Sequence, residues 1–383
     1  MLLLEGLRVL DLGQFISGPC AAVLLSEMGA EVIKIEQPPN GDPFRSWDPE
    51  KQRLSPSFVA FNRGKQSVLL DLKSADGKEA FLSLSASADI VIENFRPGVM
   101  GRLGLGFETL RKSNGKLILC SISGFGSSGP NANLPAYDGV ALGYSGLASL
   151  LIDEDNPRVM GPALADAITG HSAALAILAA LIRRAKTNHG VHLEISMLGA
   201  LAHFMSSAIS KQVVDGLEEG PYTRPHGSVA QAFTTQDNRL LLFHLSSPSK
   251  FWEGLCASVD RVDLLTDPRF ISHRDRSRNY DQLHEELAPI FSKRNRSDWL
   301  QILQSNEVPC APVNRISEAL ADPQLLHLGI IDTQDEPGRG LMPRIRPPAL
   351  VDGHPMDPVS RAPLLGEHTE RVMSEINAGT QIA

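Results

Sequence analysis

Asp166 stands in Gly161-Pro-Ala-Leu-Ala-Asp-Ala-Ile-Thr-Gly170, at the head of an uncharged run that continues from Ala173 to Ile182. Leu164, Ile168, Leu175, Leu178 and Ile182 recur at helical spacing, and Ala163, Ala165, Ala173, Ala174, Ile177 and Leu181 leave no polar side, so the spacing predicts a helix buried all round. Asp166 then falls in its first turn. There, unpaired N–H groups and the positive end of the macrodipole favour the carboxylate by roughly 0.3–1 kcal/mol, against a desolvation term of opposite sign. Two readings stand side by side: an aspartate that caps the helix, and an ionised acid available as nucleophile or base.

Gly13-Gln-Phe-Ile-Ser-Gly18-Pro19 joins a strand to a helix, where backbone N–H groups often hold phosphate, and Glu36 ends the next strand as a ribose-binding acid would. The G-x-G-x-x-G spacing of a dinucleotide site is absent, and Pro19 removes one N–H. Gly124-Phe-Gly-Ser-Ser-Gly-Pro130 is either a glycine-rich turn or a ligand-covering loop at the carboxyl edge of the sheet. Lys65, Lys73, Arg96 and Arg102 lie on loops and element ends and can gather around phosphates. His189 and His192 make an H-x-x-H pair with no third ligand, so no metal site is expected. Gly143-Tyr-Ser-Gly146 matches a serine nucleophile elbow only loosely.

Strands are expected at Arg8–Leu12, Glu31–Glu36, Ser67–Asp71, Asp89–Glu93, Lys116–Ile122 and Gly190–Ser196, with helices at Pro19–Met28, Ala75–Ala86, Phe107–Ser113 and Met197–Val214. The alternation implies an α/β fold with a largely parallel sheet. Asp215 to Pro225 reads as a linker or mobile loop. Two strands around Gln236-Asp-Asn238 follow, then helices near Lys250–Val259, Tyr280–Phe291 and Arg296–Gln304, a smaller α+β domain over 225–315. Residues 1–215 with 320–383 are expected to form the large domain.

The chain of 383 residues is 42% hydrophobic with a net charge of −8, an ordinary globular composition with no general attraction to nucleic acid or anionic membrane. Cys20, Cys120, Cys256 and Cys310 show no paired spacing and read as reduced thiols of a cytoplasmic protein. No secretory signal is evident, and the run Ala173–Ile182 is about half of the roughly 20 residues that cross a bilayer, so no membrane association is expected.

Gly29-Ala-Glu-Val-Ile-Lys-Ile-Glu36, Asn62-Arg-Gly-Lys65, Glu93-Asn-Phe-Arg-Pro-Gly98, Gly124-Phe-Gly126 with Gly129-Pro130, Asp166 and Ala362-Pro-Leu-Leu-Gly-Glu-His368, in this order, resemble the class III coenzyme A transferases, the CaiB/BaiF family. The resemblance covers nearly the whole chain. It implies a Rossmann-like large domain, an interlocked homodimer, and an acyl-coenzyme A thioester and a small carboxylic acid as substrates, with no prosthetic group. It implies Asp166 as the nucleophile, with mixed-anhydride and aspartyl-coenzyme A thioester intermediates. Carried over by position, coenzyme A contacts are expected at Ile16 and Ser17, at Leu70, Asp71, Leu72 and Lys73, at Asn94, Phe95 and Arg96, at Arg102, and at Ala136, Tyr137 and Asp138.

Departures from the family pattern are Gln37, where some members carry arginine, and the stretch Pro221–Thr234, which lacks the glycine run of oxalate-using members. The related α-methylacyl-coenzyme A racemases pair the aspartate with a histidine where this chain has Tyr137, a poor two-way proton partner, although His171 on the Asp166 helix keeps that alternative in view. A non-catalytic acyl-coenzyme A binder is the third reading. Arg224 and His226 are the expected contacts for an acceptor carboxylate.

Overall fold

The computed structural model describes residues 2–47, 54–246, 249–336 and 339–380. The chain divides into two compact units: Met1–Ala148 with Val159–Ile209 and Leu328–Ala383, and Ser149–Arg158 with Ser210–His327.

The first unit begins β1 (Arg8–Asp11), α1 (Ser17–Glu27), β2 (Glu31–Glu36), α2 (Pro56–Asn62), β3 (Lys65–Leu69), α3 (Ala75–Ala86) and β4 (Ile90–Glu93). It continues with α4 (Val99–Arg102), α5 (Phe107–Ser113), β5 (Ile118–Ser123), α6 (Asp138–Ser145), α7 (Leu164–Thr187), β6 (Val191–Ser196) and α8 (Met197–Phe204). All six strands pair in parallel, in the order β3-β2-β1-β4-β5-β6. This is the doubly wound order, and it reverses between β1 and β4. The loops leaving those two strands therefore diverge and open a crevice at the carboxyl edge. Central strands buried on both faces explain the apolar stretch Ile90–Ile92 in β4, while β1 and β2 bury Asp11, Lys34 and Glu36 along with their apolar residues.

Two apolar cores sandwich this sheet. One gathers Leu10, Ile33, Val68, Phe81 and Leu119, the other Val9, Leu25, Ile92, Ile122, Ala173 and Ile177. The C-terminal segment clamps the β3 edge: Gly366 N–H donates to Ser67 Oγ at 2.8 Å and His368 N–H to Ser67 O at 2.9 Å. That gives the Ala362–His368 motif a structural role.

Three sequence expectations fail here. Helix α7 is not buried all round: Ala165, Thr169, Ala173, Ile177 and Ala180 pack inward, while His171, Leu175, Ala179 and Ile182 lie exposed. Apolar periodicity reports which residues avoid water, not what covers them. Helix α7 is also long and apolar enough, by length and composition alone, to cross a membrane, where the sequence counted only Ala173–Ile182; the core helix of a soluble protein passes the same test. In addition, the single helix expected over 197–214 breaks at Met205, and α9 (Ser206–Asp215) follows.

The second unit holds α10 (Thr223–Ser228), where a linker or mobile loop was expected. A three-stranded antiparallel sheet follows, with β7 (Ala230–Thr234), β8 (Leu240–His244) and β9 (Cys310–Pro312) in that order. The turn between the first two passes through Asn238 at φ 55°, a conformation asparagine tolerates. Helices Ser249–Ser258, Tyr280–Phe291 and Arg296–Ser305 cover it around Phe233, Phe243, Phe291 and Trp299.

Candidate active site

The loop after β1 is fixed from behind by charges that are themselves buried. Asp11 accepts the Gly13 N–H at 2.8 Å and a proton of Lys65 Nζ at 2.7 Å, while Lys34 Nζ donates to Gly13 O at 2.7 Å and meets Asp42 at 2.9 Å. Burial alone pulls both ammonium groups down. For Lys34, Asp11, Asp42 and Glu36 outweigh it and hold the group above its ordinary value. For Lys65 burial wins, Asp11 notwithstanding, and the group sits at about 8. Phe15 is held at φ 60°, in the left-handed region, its N–H 3.2 Å from Asp42 Oδ1.

Asn94, just past β4, ties the two diverging loops together. Its Oδ1 accepts the Gln14 N–H at 2.8 Å, and its Nδ2 donates to Gln14 O at 2.8 Å and to Ser17 Oγ at 3.2 Å. This is a paired, β-like bridge made by one side chain.

Helix α7 crosses α1 closely because position 170 has no side chain. A Cβ there would lie 2.6 Å from Cys20 Cβ and 3.0 Å from Ser17 O. The crossing brings the first turns of both helices together. The Ser17 backbone N–H and hydroxyl both act on the Asp166 carboxylate and favour its ionised form. The Asp166 N–H in turn donates to Asp138 Oδ1, in the first turn of α6, at 3.1 Å. Burial pushes the Asp166 carboxyl up to about 6, and Asp138 adds to it, while the two Ser17 donors pull it back. The N-cap of α7 is Ala163, which makes no side-chain cap, so Asp166 does not cap its own helix. Its carboxylate is turned to the N-terminus of α1 instead.

A cleft of about 350 Å³ opens at this point. Of the residues expected from the sequence, Ser17, Asn94, Phe95, Arg96, Ala136, Tyr137 and Asp166 line it. Gln14 and Phe15 of the loop weighed for phosphate and Gly124 of the glycine-rich loop line it as well, with Ser123 and Met197, to which the sequence reading gave no role. Gly124 is needed for close approach, since a Cβ would lie 2.2 Å from the Ala136 Cβ. Tyr137 is 68% exposed and meets the Phe15 ring edge-on at 6.1 Å.

The remaining expected contacts do not line the cleft. Ile16 is the N-cap of α1 and packs against the Phe44 and Phe58 cluster. Leu70 and Leu72 bury their side chains in the core with Leu10 and Phe81. Asp71 accepts from Gln37 Nε2 at 2.9 Å and from the Lys73 N–H at 3.0 Å. Lys73 and Arg102 are exposed, at the β3–α3 turn and the end of α4. Asp138 acts from beneath, through Asp166.

Three further residues take different roles from those their types suggested. Lys65, grouped with the phosphate-facing bases, is consumed by Asp11, Pro19 O and Asn62 Oδ1. Glu36 is spent on Arg45, with contacts of 2.8 and 2.6 Å, and on Ser67 at 2.6 Å, so no ribose is left for it to bind. Burial raises the Glu36 carboxyl, but Arg45, Lys34 and Ser67 outweigh it and leave it below its ordinary value. His171 is exposed, its Nδ1 2.9 Å from Ala167 O, and does not line the cleft.

In the second unit, His226 stacks on Tyr280 with ring centroids 4.2 Å apart. Among the described residues no His, Cys, Asp or Glu group has the arrangement of a metal site. Nothing in the spacing signalled Asp11, Lys34 or Asp42, whose partners are distant in sequence.

The family model described as CoA-transferase family III matches residues 4–369. The chain is 33% identical to the succinate–glutarate CoA-transferase of Agrobacterium fabrum over 384 residues, covering 97% of this chain and 95% of that protein. It is 35% identical to the acetyl-CoA:oxalate CoA-transferase of Acetobacter aceti over 324 residues, covering 84% and 83%. The crystal structure of a CAIB/BAIF family protein from Brucella suis superposes with a TM-score of 0.86 at 31% identity, covering 97% of this chain and 99% of that one.

Proposed function

This chain belongs to CoA-transferase family III and is an enzyme that transfers coenzyme A between an acyl-CoA and an acid, and from that premise we propose that Asp166 is the covalent nucleophile. A carboxylate oxygen attacks the thioester carbonyl of the donor, the C–S bond breaks, and coenzyme A leaves as the thiolate, giving a mixed anhydride. The thiolate then attacks the aspartyl carbonyl, releasing the donor acid and leaving an aspartyl thioester. An acceptor carboxylate reverses the two steps. Thioester energy is conserved throughout.

The observation that carries this reading is the place of Asp166, which lines the cleft in the first turn of α7, where Ser17 favours its ionised form. That form, the only nucleophilic one, is favoured against the cost of burial. Asn94, Phe95 and Arg96 are proposed to hold the coenzyme, with Arg96 toward phosphate. Succinyl-CoA with a short dicarboxylate is the proposed substrate pair, since relatives are named for succinate with glutarate and for oxalate.

Incubation with succinyl-CoA and a panel of dicarboxylates, read by mass spectrometry, tests the reading. New acyl-CoA must appear only with an acceptor present, and Asp166→Ala must abolish it while still binding coenzyme A. Turnover in Asp166→Ala, or solvent deuterium entering the α-carbon of the donor without any acceptor, would sink it. The exposed apolar stripe of α7 supports a homodimer as the working form, and a monomer in sedimentation at micromolar concentration would count against that.

A further inference from the structure

Glu93 ends β4 and is 6% exposed. Its Oε2 accepts the Phe95 N–H at 2.8 Å, and the hydroxyl of Ser121, its register partner on β5, favours the ionised form of the same carboxylate. Ser121 Oγ lies 2.9 Å from His192 Nε2. A Ser121 hydroxyl turned toward Glu93 leaves its oxygen able to accept from Nε2 of His192. The ring of His192 stacks on Phe107 at 5.4 Å. Three adjacent parallel strands thus set Ser121 between His192 and Glu93, in hydrogen-bond contact with the first and in register with the second.

On the other side of Glu93 the contacts continue. The Phe95 N–H closes a tight turn whose middle residue is Asn94, and Asn94 Nδ2 donates to the Ser17 oxygen that serves Asp166. An ionised acceptor at Glu93 holds the Phe95 N–H about twice as strongly as a neutral one.

We infer that Glu93 is a positioning residue for the coenzyme A site, its carboxylate fixing the Asn94–Arg96 turn and through Asn94 the Ser17 donors on which Asp166 depends. This rests on Asp166 as nucleophile. Burial pushes the Glu93 carboxyl up to about 7, Ser121 and the Phe95 N–H pulling it back and Glu194 pushing it further. The charged groups facing it are Glu194 and His192 from β6 and Arg96 from the turn, all lining a small cavity of about 170 Å³. On β5 the buried Cys120 thiol feels the Glu93 charge, and the α4–α5 segment lining that cavity brings no charge. Protonation of Glu93 weakens the turn, so the rate falls as pH drops.

The test is kcat/KM for succinyl-CoA between pH 5 and 9 in the native enzyme, Glu93→Gln and Ser121→Ala. The native profile is expected to carry a step of about tenfold near pH 7, above the loss caused by Asp166 itself. Glu93→Gln mimics the protonated acid, so it should sit at the lower level across this range and show no step. Ser121→Ala removes a donor that favours the carboxylate and should move the step to higher pH. A merely structural Glu93 would lower the rate at all pH values without moving the step. Persistence of the step in Glu93→Gln, or an unmoved step in Ser121→Ala, overturns the inference. Where Glu93→Gln does not fold, Ser121→Ala decides alone. Failure of the nucleophile reading looks different, since Asp166→Asn would then retain transfer whatever the Glu93 profile does.

Discussion

Ser17 turns the polar groups of the first turn of α1 on the carboxylate of Asp166, in the first turn of α7, where the two helices cross at Gly170. The acid thereby gains polar partners from a helix other than its own. Burial works against them and keeps the group at about 6.

Ser17→Ala therefore raises the Asp166 pKa further. The acid limb of kcat/KM, at about 6 in the native enzyme, should move to higher pH, with a rate loss of about tenfold at pH 6 and less at pH 8. An unmoved limb would mean that the hydroxyl does not act on Asp166.

Asp166→Asn changes stability in a pH-dependent way. Folding holds the carboxyl above its ordinary 3.8, so the native protein bears the cost of the buried charge above about pH 6 and is relieved of it as pH falls toward 3.8. The variant should be more stable by on the order of 1 kcal/mol at pH 8, and the difference should vanish near pH 4. Urea unfolding at both pH values checks the sign.

Gly170→Ala places a methyl group 2.6 Å from Cys20 Cβ. Separation of α1 from α7 should cost about 1–3 kcal/mol and lower kcat by pulling Ser17 from Asp166. Combining it with Cys20→Gly, which removes that Cβ and the Sγ at 2.7 Å, should restore part of the kcat loss, and no recovery would show that the strain lies elsewhere.

Lys65→Met removes a buried cation and leaves Asp11 with Lys34 at 3.9 Å. A loss of about 3–5 kcal/mol is expected, because Asp11 stays buried without its nearest partner. Thermal or urea unfolding measures it, and a loss under about 1 kcal/mol would show that the pair holds the loop only weakly.

The sheet was legible because the short apolar stretches Val9-Leu10, Val32-Ile33 and Ile90–Ile92, buried on both faces, recur between helical patterns. Asp166 was legible as the one charge leading an apolar helix. Its partner was not, since the Ser17 contact arises only once a glycine lets two helices approach. Lys34 and Lys65 look like surface charges in the sequence, and only the strand order brings Asp11 between them. The exposed stripe of α7 was misread because apolar character in a sequence does not state what covers it. The break at Met205 carries neither glycine nor proline, so no local residue announced it.

The three oxygens around Lys65 also bear on self-modification. An amine at about 8 is neutral for an appreciable fraction of the time near neutral pH, and a neutral amine beside an anhydride would be acylated by it. Held by Asp11, Pro19 O and Asn62 behind the β1 loop, the nitrogen is buried and does not line the cleft that Asp166 does, so its lone pair is kept from the anhydride when it is neutral. On the proposed route, the same contacts that stiffen the loop spare the enzyme from capturing its own reagent.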